Sequence, residues 1–186
     1  MLDNTALVSS ANYWFSTIAL VGLAFAAIWV VDLLFGALWM PHWKKKMYTW
    51  FERFALPFGF FISLFATLGS LYYQFHLGIQ PCELCWFARI FIYPQVFIFG
   101  VAWYKNDRRI FDYIMMLSLI GIAIGIYHHF LQMGYDLYKP CGAGLFVDCS
   151  VPTFVEYKFM TYPLMGVVTN ALTFLTAFSA KRFAKL

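Results

Sequence analysis

Charged side chains are scarce in this chain. Lys and Arg total 13 and Asp and Glu total 9 among 186 residues, so 12% of residues are charged while 62% are hydrophobic. Soluble globular domains carry about 25% charged residues, and the composition excludes that class. The net charge of +4 does not indicate a nucleic-acid partner, because the basic residues form short clusters beside apolar runs and not one stripe.

The N-terminus lacks the features of a cleaved signal peptide. Residues 1–10 include Asp3 and no basic residue, and no small-x-small cleavage site follows the first apolar stretch. We therefore expect this stretch to stay in the membrane.

Five apolar segments are each long enough to cross a hydrocarbon core about 30 Å thick. Their predicted bounds are 13–40, 54–75, 86–103, 110–131 and 159–180. Lipid cannot satisfy backbone polar groups and the segments do not alternate, so helices are expected. The predicted fold is an all-α membrane protein, a four-helix transmembrane bundle with an additional N-terminal transmembrane helix. Residues 1–53 would form that helix and a basic cytoplasmic loop, and residues 54–186 the four-helix domain.

The basic residues predict the orientation of the spans. Ten of the 13 lie between the first and second spans, between the third and fourth, or at the C-terminus. These are Lys44, Lys45, Lys46, Arg53, Lys105, Arg108, Arg109, Lys181, Arg182 and Lys185. Because Lys and Arg concentrate in cytoplasmic loops, the C-terminus is expected inside and the N-terminus outside. The outward loops, 76–85 and 132–158, then contain all four cysteines.

Cys82 and Cys85 form a C-x-x-C pair where the third span begins. A helix N-terminus favours a thiolate over a thiol, so such a cysteine is expected to be reactive. Two-residue spacing also allows a disulfide to open and close with little backbone movement. By itself, C-x-x-C is shared with zinc sites and structural bridges.

The second pair, Cys141 and Cys149, lies in a loop of high Gly and Pro content. A disulfide there would be open to attack by the thiolate of a partner protein. Three uses of the four cysteines remain open from spacing alone: a zinc site, two structural disulfides, or a redox relay. The relay is favoured for two reasons. Short loops between membrane helices need no disulfides for stability, because the bilayer already holds the helices. The C-x-x-C and C-x7-C spacings are also not typical of a tetrahedral zinc site.

A relay needs an electron acceptor, and three polar residues lie at a suitable depth. Arg89 is one helical turn beyond Cys85, on the same face, where it could bind a quinone carbonyl and stabilise a thiolate. The alternative is an interfacial anchor that reaches outward. His128 and His129 near the outer end of the fourth span could bind the ring or deliver protons, or be ordinary interfacial residues. No metal site is predicted.

The sequence resembles the DsbB family of membrane thiol:quinone oxidoreductases. The resemblance rests on the segment 81–89, on 128–132 in the following outward helix, and on the second cysteine pair before the last span. It implies a bacterial cytoplasmic (inner) membrane protein that reoxidises an extracytoplasmic, DsbA-like thioredoxin-fold protein. The electrons would pass to ubiquinone or menaquinone. The extra N-terminal span suggests a specialised branch such as the DsbI type.

The resemblance also implies a role for each site residue. Cys141 would be attacked by the partner's thiolate, and Cys149 would then exchange with Cys82. Cys85 would lie against the quinone. Further residues expected at the quinone are Arg89 and His128, with His129 as the second histidine.

Three other functions compete with this interpretation, one of which is a metal-binding subunit. A vitamin K epoxide reductase-like enzyme has similar thiol pairs, but its loop cysteines precede the C-x-x-C, whereas here Cys82 and Cys85 come first. A non-enzymatic membrane subunit could use both disulfides to brace its loops.

Overall fold

The computed structural model describes residues 4–39, 41–135 and 148–183, with the side chains of residues 4, 36–52 and 183 outside that description. Within these ranges the chain forms five helices. They are α1 (Asn4–Trp39), α2 (Pro41–Phe75), α3 (Glu83–Lys105), α4 (Phe111–Gln132) and α5 (Tyr162–Phe183). Each contains a stretch long and apolar enough to cross a membrane. The chain is a multi-pass, all-α membrane protein, as predicted.

The helices differ from the predicted spans mainly at three ends. α1 begins at Asn4 instead of residue 13, because residues 4–12 contain no Pro or Gly to prevent a helix. α2 begins at Pro41, a residue suited to a first helical turn, so the segment predicted as a basic loop is helical. α5 begins at Tyr162 instead of residue 159, because Glu156 and Met160 exchange backbone hydrogen bonds of 2.9 and 2.8 Å.

Small residues bring α4 and α5 together. A Cβ atom on Gly121 would lie 2.8 Å from the Asn170 side chain, and one on Gly125 would lie 2.6 Å from Cγ2 of Val167. Helices in membranes use such residues to approach closely, since burial from water does not drive their association. The approach places the C-terminal end of α4 against the start of α5.

Hydrogen bonds between buried side chains add to this packing. Gln95 Nε2 on α3 donates to Asn170 Oδ1 on α5 over 3.0 Å, and the hydroxyls of Ser118 and Thr173 are 2.9 Å apart. Each bond between helices in a membrane contributes about 0.6 to 2 kcal/mol. α5 is thereby joined to both α3 and α4.

The two ends of the bundle differ in chemistry. The start of α3, with Cys82 and Cys85, lies beside the end of α4; we call this the cysteine end. The opposite end carries Lys105 and an ion pair between Lys181 and Asp112; we call it the basic end. The fold thus separates the thiols from the basic clusters by the length of the helices.

Candidate functional site

The C-x-x-C pair straddles the first turn of α3. Cys82 precedes the helix in an extended conformation, with φ −74° and ψ 173°, and Cys85 lies within the helix. Their Sγ atoms are 3.2 Å apart, and both residues are free thiols. A disulfide requires about 2.05 Å between sulfurs, so a small side-chain movement would close the bond.

Cys82 is held in an environment that favours its thiolate. The hydrogen bond with Cys85 lowers the pKa of the Cys82 thiol well below its ordinary value, and His128 acts in the same direction, whereas burial opposes the shift. Only 4% of the Cys82 surface is exposed. The thiolate is the nucleophile in disulfide exchange, so Cys82 is prepared for that chemistry and shielded from water.

His128 connects the two cysteine-bearing segments. Its Nε2 atom lies 3.6 Å from Cys82 Sγ and 3.2 Å from the backbone oxygen of Cys149. The ring is buried, and Gln132, one turn along α4, approaches the same nitrogen. A carbonyl oxygen only accepts, so Nε2 carries a hydrogen when it bonds to Cys149. The same N–H can stabilise a thiolate on Cys82.

Cys149 lies next to the C-x-x-C pair. It is buried, is engaged in a disulfide, and packs in one cluster with Cys82, Leu84 and Leu131. Cys141 lies outside the described residues. The structure therefore brings three of the predicted site residues, Cys82, Cys149 and His128, into one group.

Arg89 is buried inside the bundle and does not reach outward as an interfacial anchor. Its guanidinium donates to the side chain of Gln74 and, over 3.4 Å, to the Ser70 carbonyl, and it lies 5.0 Å from the centre of the Trp86 ring. Its Nε has no hydrogen-bond partner among the described residues. A buried cation with a spare donor is expensive in a membrane unless a ligand uses it.

A cavity of about 590 Å³ lies inside the bundle below Cys85. At the cysteine end its lining includes Cys85, Arg89 and His128, with Ser70 and Tyr162 beside them. The remaining lining is almost entirely apolar. Cys82 does not line the cavity, so the two thiols of the C-x-x-C pair face different surroundings.

His129 is not part of this group. Its Nδ1 lies 2.8 Å from the Thr161 hydroxyl, and the residue does not line the cavity. Adjacent residues on a helix point about 100° apart, which separates His129 from His128. Its predicted contact with a quinone has no support in these contacts.

Sequence reasoning missed the polar groups contributed by α2. Ser70 accepts hydrogen bonds from the hydroxyls of Tyr162 and Tyr93 over 2.8 and 3.1 Å, and Gln74 holds Arg89. The signal was present, because polar residues four apart inside an apolar span mark one face of the helix. Without the partner helices, that face could not be assigned.

Three side chains of the site could together hold a metal ion. The ligand atoms of Cys82, Cys85 and His128 lie within 4.8 Å of one another. The sulfurs, however, are 3.2 Å apart, whereas two thiolates at 2.3 Å from a tetrahedral zinc would be separated by about 3.8 Å. The spacing fits a dithiol better than a zinc site.

Fold and site together define a class: a helical membrane protein with a reactive thiol pair beside a disulfide-bonded cysteine. The family model for disulfide bond formation protein DsbB matches residues 52–180. The chain therefore belongs to the DsbB family, whose members act in disulfide bond formation at membranes.

Named relatives agree with this assignment. Disulfide bond formation protein C of Bacillus subtilis is 37% identical over 113 residues, which are 60% of this chain and 80% of the relative. The SPbeta prophage-derived disulfide bond formation protein B of the same organism is 38% identical over 116 residues, 62% and 77% of the two chains. A probable disulfide formation protein of Coxiella burnetii is 32% identical over 123 residues, 65% and 83%. No solved structure matches the chain.

Proposed function

We propose that the chain oxidises a DsbA-like thioredoxin-fold protein and passes the two electrons to a membrane quinone, ubiquinone or menaquinone. The observation that carries the proposal is the division of the C-x-x-C pair. Cys82 faces His128 and Cys149, whereas Cys85 lines the cavity. One thiol is thus placed to receive electrons and the other to release them.

Electrons would enter through the second cysteine pair. A thiolate of the partner attacks Cys141, the bond between Cys141 and Cys149 breaks, and Cys149 leaves as a thiolate. Cys149 then attacks Cys82 of the oxidised C-x-x-C pair, and Cys85 leaves. The packing of Cys149 with Cys82 supports this exchange.

The exchange ends without a net change in the second pair. The partner's second thiol displaces Cys141 and leaves the partner with a disulfide. Cys141 then displaces Cys82 from Cys149, which restores the loop disulfide and leaves Cys82 and Cys85 as thiols. This point of the proposed cycle requires Cys82 and Cys85 as free thiols and Cys149 in a disulfide, which is the arrangement described above.

The cavity fits a quinone head group near Cys85. A quinone bound there would accept two electrons and two protons and would leave as a hydroquinone. Arg89 would hold a ring oxygen through its unused Nε donor, and His128 is the lining residue able to transfer a proton. Oxidation of the Cys82 thiolate and the Cys85 thiol to a disulfide would supply two electrons and one proton, and a second proton from solvent would complete the cycle.

We further propose that the protein lies in the bacterial inner membrane with its cysteine end outside. The basic end would face the cytoplasm, as the excess of Lys and Arg predicts. Disulfide exchange then takes place in the oxidising compartment.

The test combines the purified protein, a reduced DsbA-like donor and a quinone, and follows quinone absorbance. Changing Cys82, Cys85, Cys141 or Cys149 to Ser is expected to abolish quinone reduction. Val151→Ala, an exposed substitution in the same loop as Cys149, is the control and should keep the wild-type rate. A wild-type protein that reduces no quinone would overturn the proposal and favour the non-enzymatic subunit.

A further inference from the structure

We infer that α1, which lies outside the family match, forms the wall of the cavity that holds the isoprenoid tail of the quinone. The inference rests on the proposed function and adds a role for a helix that lies before the family match, which begins at residue 52. Six α1 residues line the cavity. They are Phe15, Ile18, Ala19, Val21, Gly22 and Phe25.

α1 is a packed part of the bundle. Small residues at helical spacing, Ser16, Ala19 and Gly22, face the rest of the protein, and a Cβ atom on Gly22 would lie 3.1 Å from Cγ1 of Val168 on α5. Nearer the cysteine end, the Tyr73 hydroxyl donates to Asn12 Oδ1 over 3.0 Å. The helix is therefore fixed where it meets the cavity.

The side of α1 that faces α2 leaves an opening toward the lipid. Aromatic contacts join the two helices at two levels, with Phe15 at 5.8 Å from Phe65 and Trp29 at 6.2 Å from Phe58. At 1.5 Å per residue, the levels are about 21 Å apart along α1 and about 10 Å apart along α2. We call the gap between them the side window.

Residues at the side window are exposed on the bundle surface and also line the cavity. Ile18 is 49% exposed, Val21 65% and Phe25 48% on α1, and Phe61 of α2 is 58% exposed. Side chains that line the cavity and are also about half exposed are expected where the cavity opens to the bilayer. We therefore place its opening at the side window.

The distribution of chemistry along the cavity identifies the occupant. Cys85 and Arg89 lie at one end, and the walls leading to the side window are apolar. A ligand that matches both parts has a polar, redox-active ring and a long apolar chain. A membrane quinone has this form, with its ring at Cys85 and its tail passing between α1 and α2.

The test obstructs the side window with Val21→Trp and, separately, Ile18→Trp. Steady-state reduction is measured for two quinones with the same ring, one with a long isoprenoid tail and one without a tail. The control is Leu34→Trp on the same helix, since Leu34 is 66% exposed and does not line the cavity.

Both window variants are expected to raise KM for the long-tailed quinone about ten-fold, because apolar contacts of the tail are lost. KM and kcat for the tail-free quinone should stay within about two-fold of wild type, which also reports that the variants are folded, and Leu34→Trp should change neither quinone. The inference is overturned if, in both window variants, KM rises equally for the two quinones. It is also overturned if KM for the long-tailed quinone does not change in either variant. A wild-type protein that reduces neither quinone refutes the proposed function instead.

Discussion

At the scale of single residues, the site works through the different neighbours of two cysteines three positions apart. Cys82 lies beside His128 and Cys149, whereas Cys85 lines the cavity. Because α3 begins between them, a single backbone segment holds one sulfur on the loop side and the other on the membrane side. The order of electron transfer that we propose follows from this placement.

The acidity of Cys82 gives a prediction about pH. With Cys141 and Cys149 changed to Ser, the reduced protein should show thiolate ultraviolet absorbance that persists well below pH 9 and is lost only at lower pH. The folded pKa lies below the ordinary 9.0. The thiolate therefore contributes stability that is complete above pH 9 and is lost as the pH falls through the lowered pKa.

The partner thiol provides the matched comparison. Cys85→Ala removes the main cause of the shift and should move the midpoint of the Cys82 titration toward 9. Cys82→Ala should lack the low-pH transition altogether. If the protein with only Cys141 and Cys149 changed and its Cys85→Ala variant both titrated with a single midpoint near 9, Cys85 would not lower the pKa of Cys82.

Arg89 gives a second prediction at this scale. Lys would keep the positive charge but lose the two-pronged contact with Gln74 and Ser70. Arg89→Lys is expected to raise KM for quinone about ten-fold, since a hydrogen bond to a charged group contributes about 1.5 to 3 kcal/mol. Disulfide exchange with the donor, measured in a single turnover, should keep its rate. Arg109→Lys, an exposed change at the basic end, is the control, and a loss of exchange in Arg89→Lys would contradict a role limited to the quinone.

At the scale of helices, close approach of backbones decides the packing. Phe99 of α3 is fully buried, and a Cβ atom on Gly59 of α2 would lie 2.3 Å from its ring. The ring fills the space that a side chain at residue 59 would need. Contacts of this kind fix how α2, which carries Ser70 and Gln74, is set against α3.

Gly59→Ala is therefore expected to destabilise the fold by about 1 to 3 kcal/mol through overpacking. Denaturant unfolding in detergent would measure the change. The control is Gly166→Ala, where the nearest atom would be Ile92 Cδ1 at 3.8 Å, an ordinary contact. Equal stability of the two variants would mean that α2 and α3 are not held by this contact.

The helices could be predicted from the sequence better than the site. Apolar length sets the spans and basic residues end them. The predictions 54–75, 86–103 and 110–131 agree to within a few residues with the apolar stretch 53–75 of α2, with α3 and with α4. The fine structure of residues 156–160 depends on positive φ angles at Tyr157 and Lys158, which composition does not reveal. The pairing of Arg89 with Gln74 depends on how α3 and α2 are rotated about their axes relative to each other, and mean hydropathy does not predict that rotation.

At the scale of the whole molecule, the C-x-x-C thiols lie at the opposite end of the helices from the basic residues Lys105, Lys181 and Arg182. This separation agrees with the predicted topology, in which the cysteine end is extracytoplasmic. The domain boundary at residues 53 and 54 stays a prediction. α2 runs through it as one helix, and the family match begins at residue 52.

Single exposed cysteines would test this topology. In a chain whose four native cysteines are changed to Ser, Val151→Cys should react with a membrane-impermeant maleimide in intact cells. Tyr104→Cys, at the basic end, should react only after lysis. Both positions are well exposed, at 59% and 89%, so accessibility of the side chain does not separate them. The reverse labelling pattern would invert the proposed orientation.

Burial of Cys82 limits the side reactions of the C-x-x-C pair. With 4% of its surface exposed, its sulfur is shielded from small free thiols in the surrounding solution, so these thiols would not reduce the C-x-x-C disulfide directly. Electrons would reach Cys82 from the docked partner protein through the second cysteine pair. Small thiols would not reduce the membrane quinone by reacting directly with Cys82.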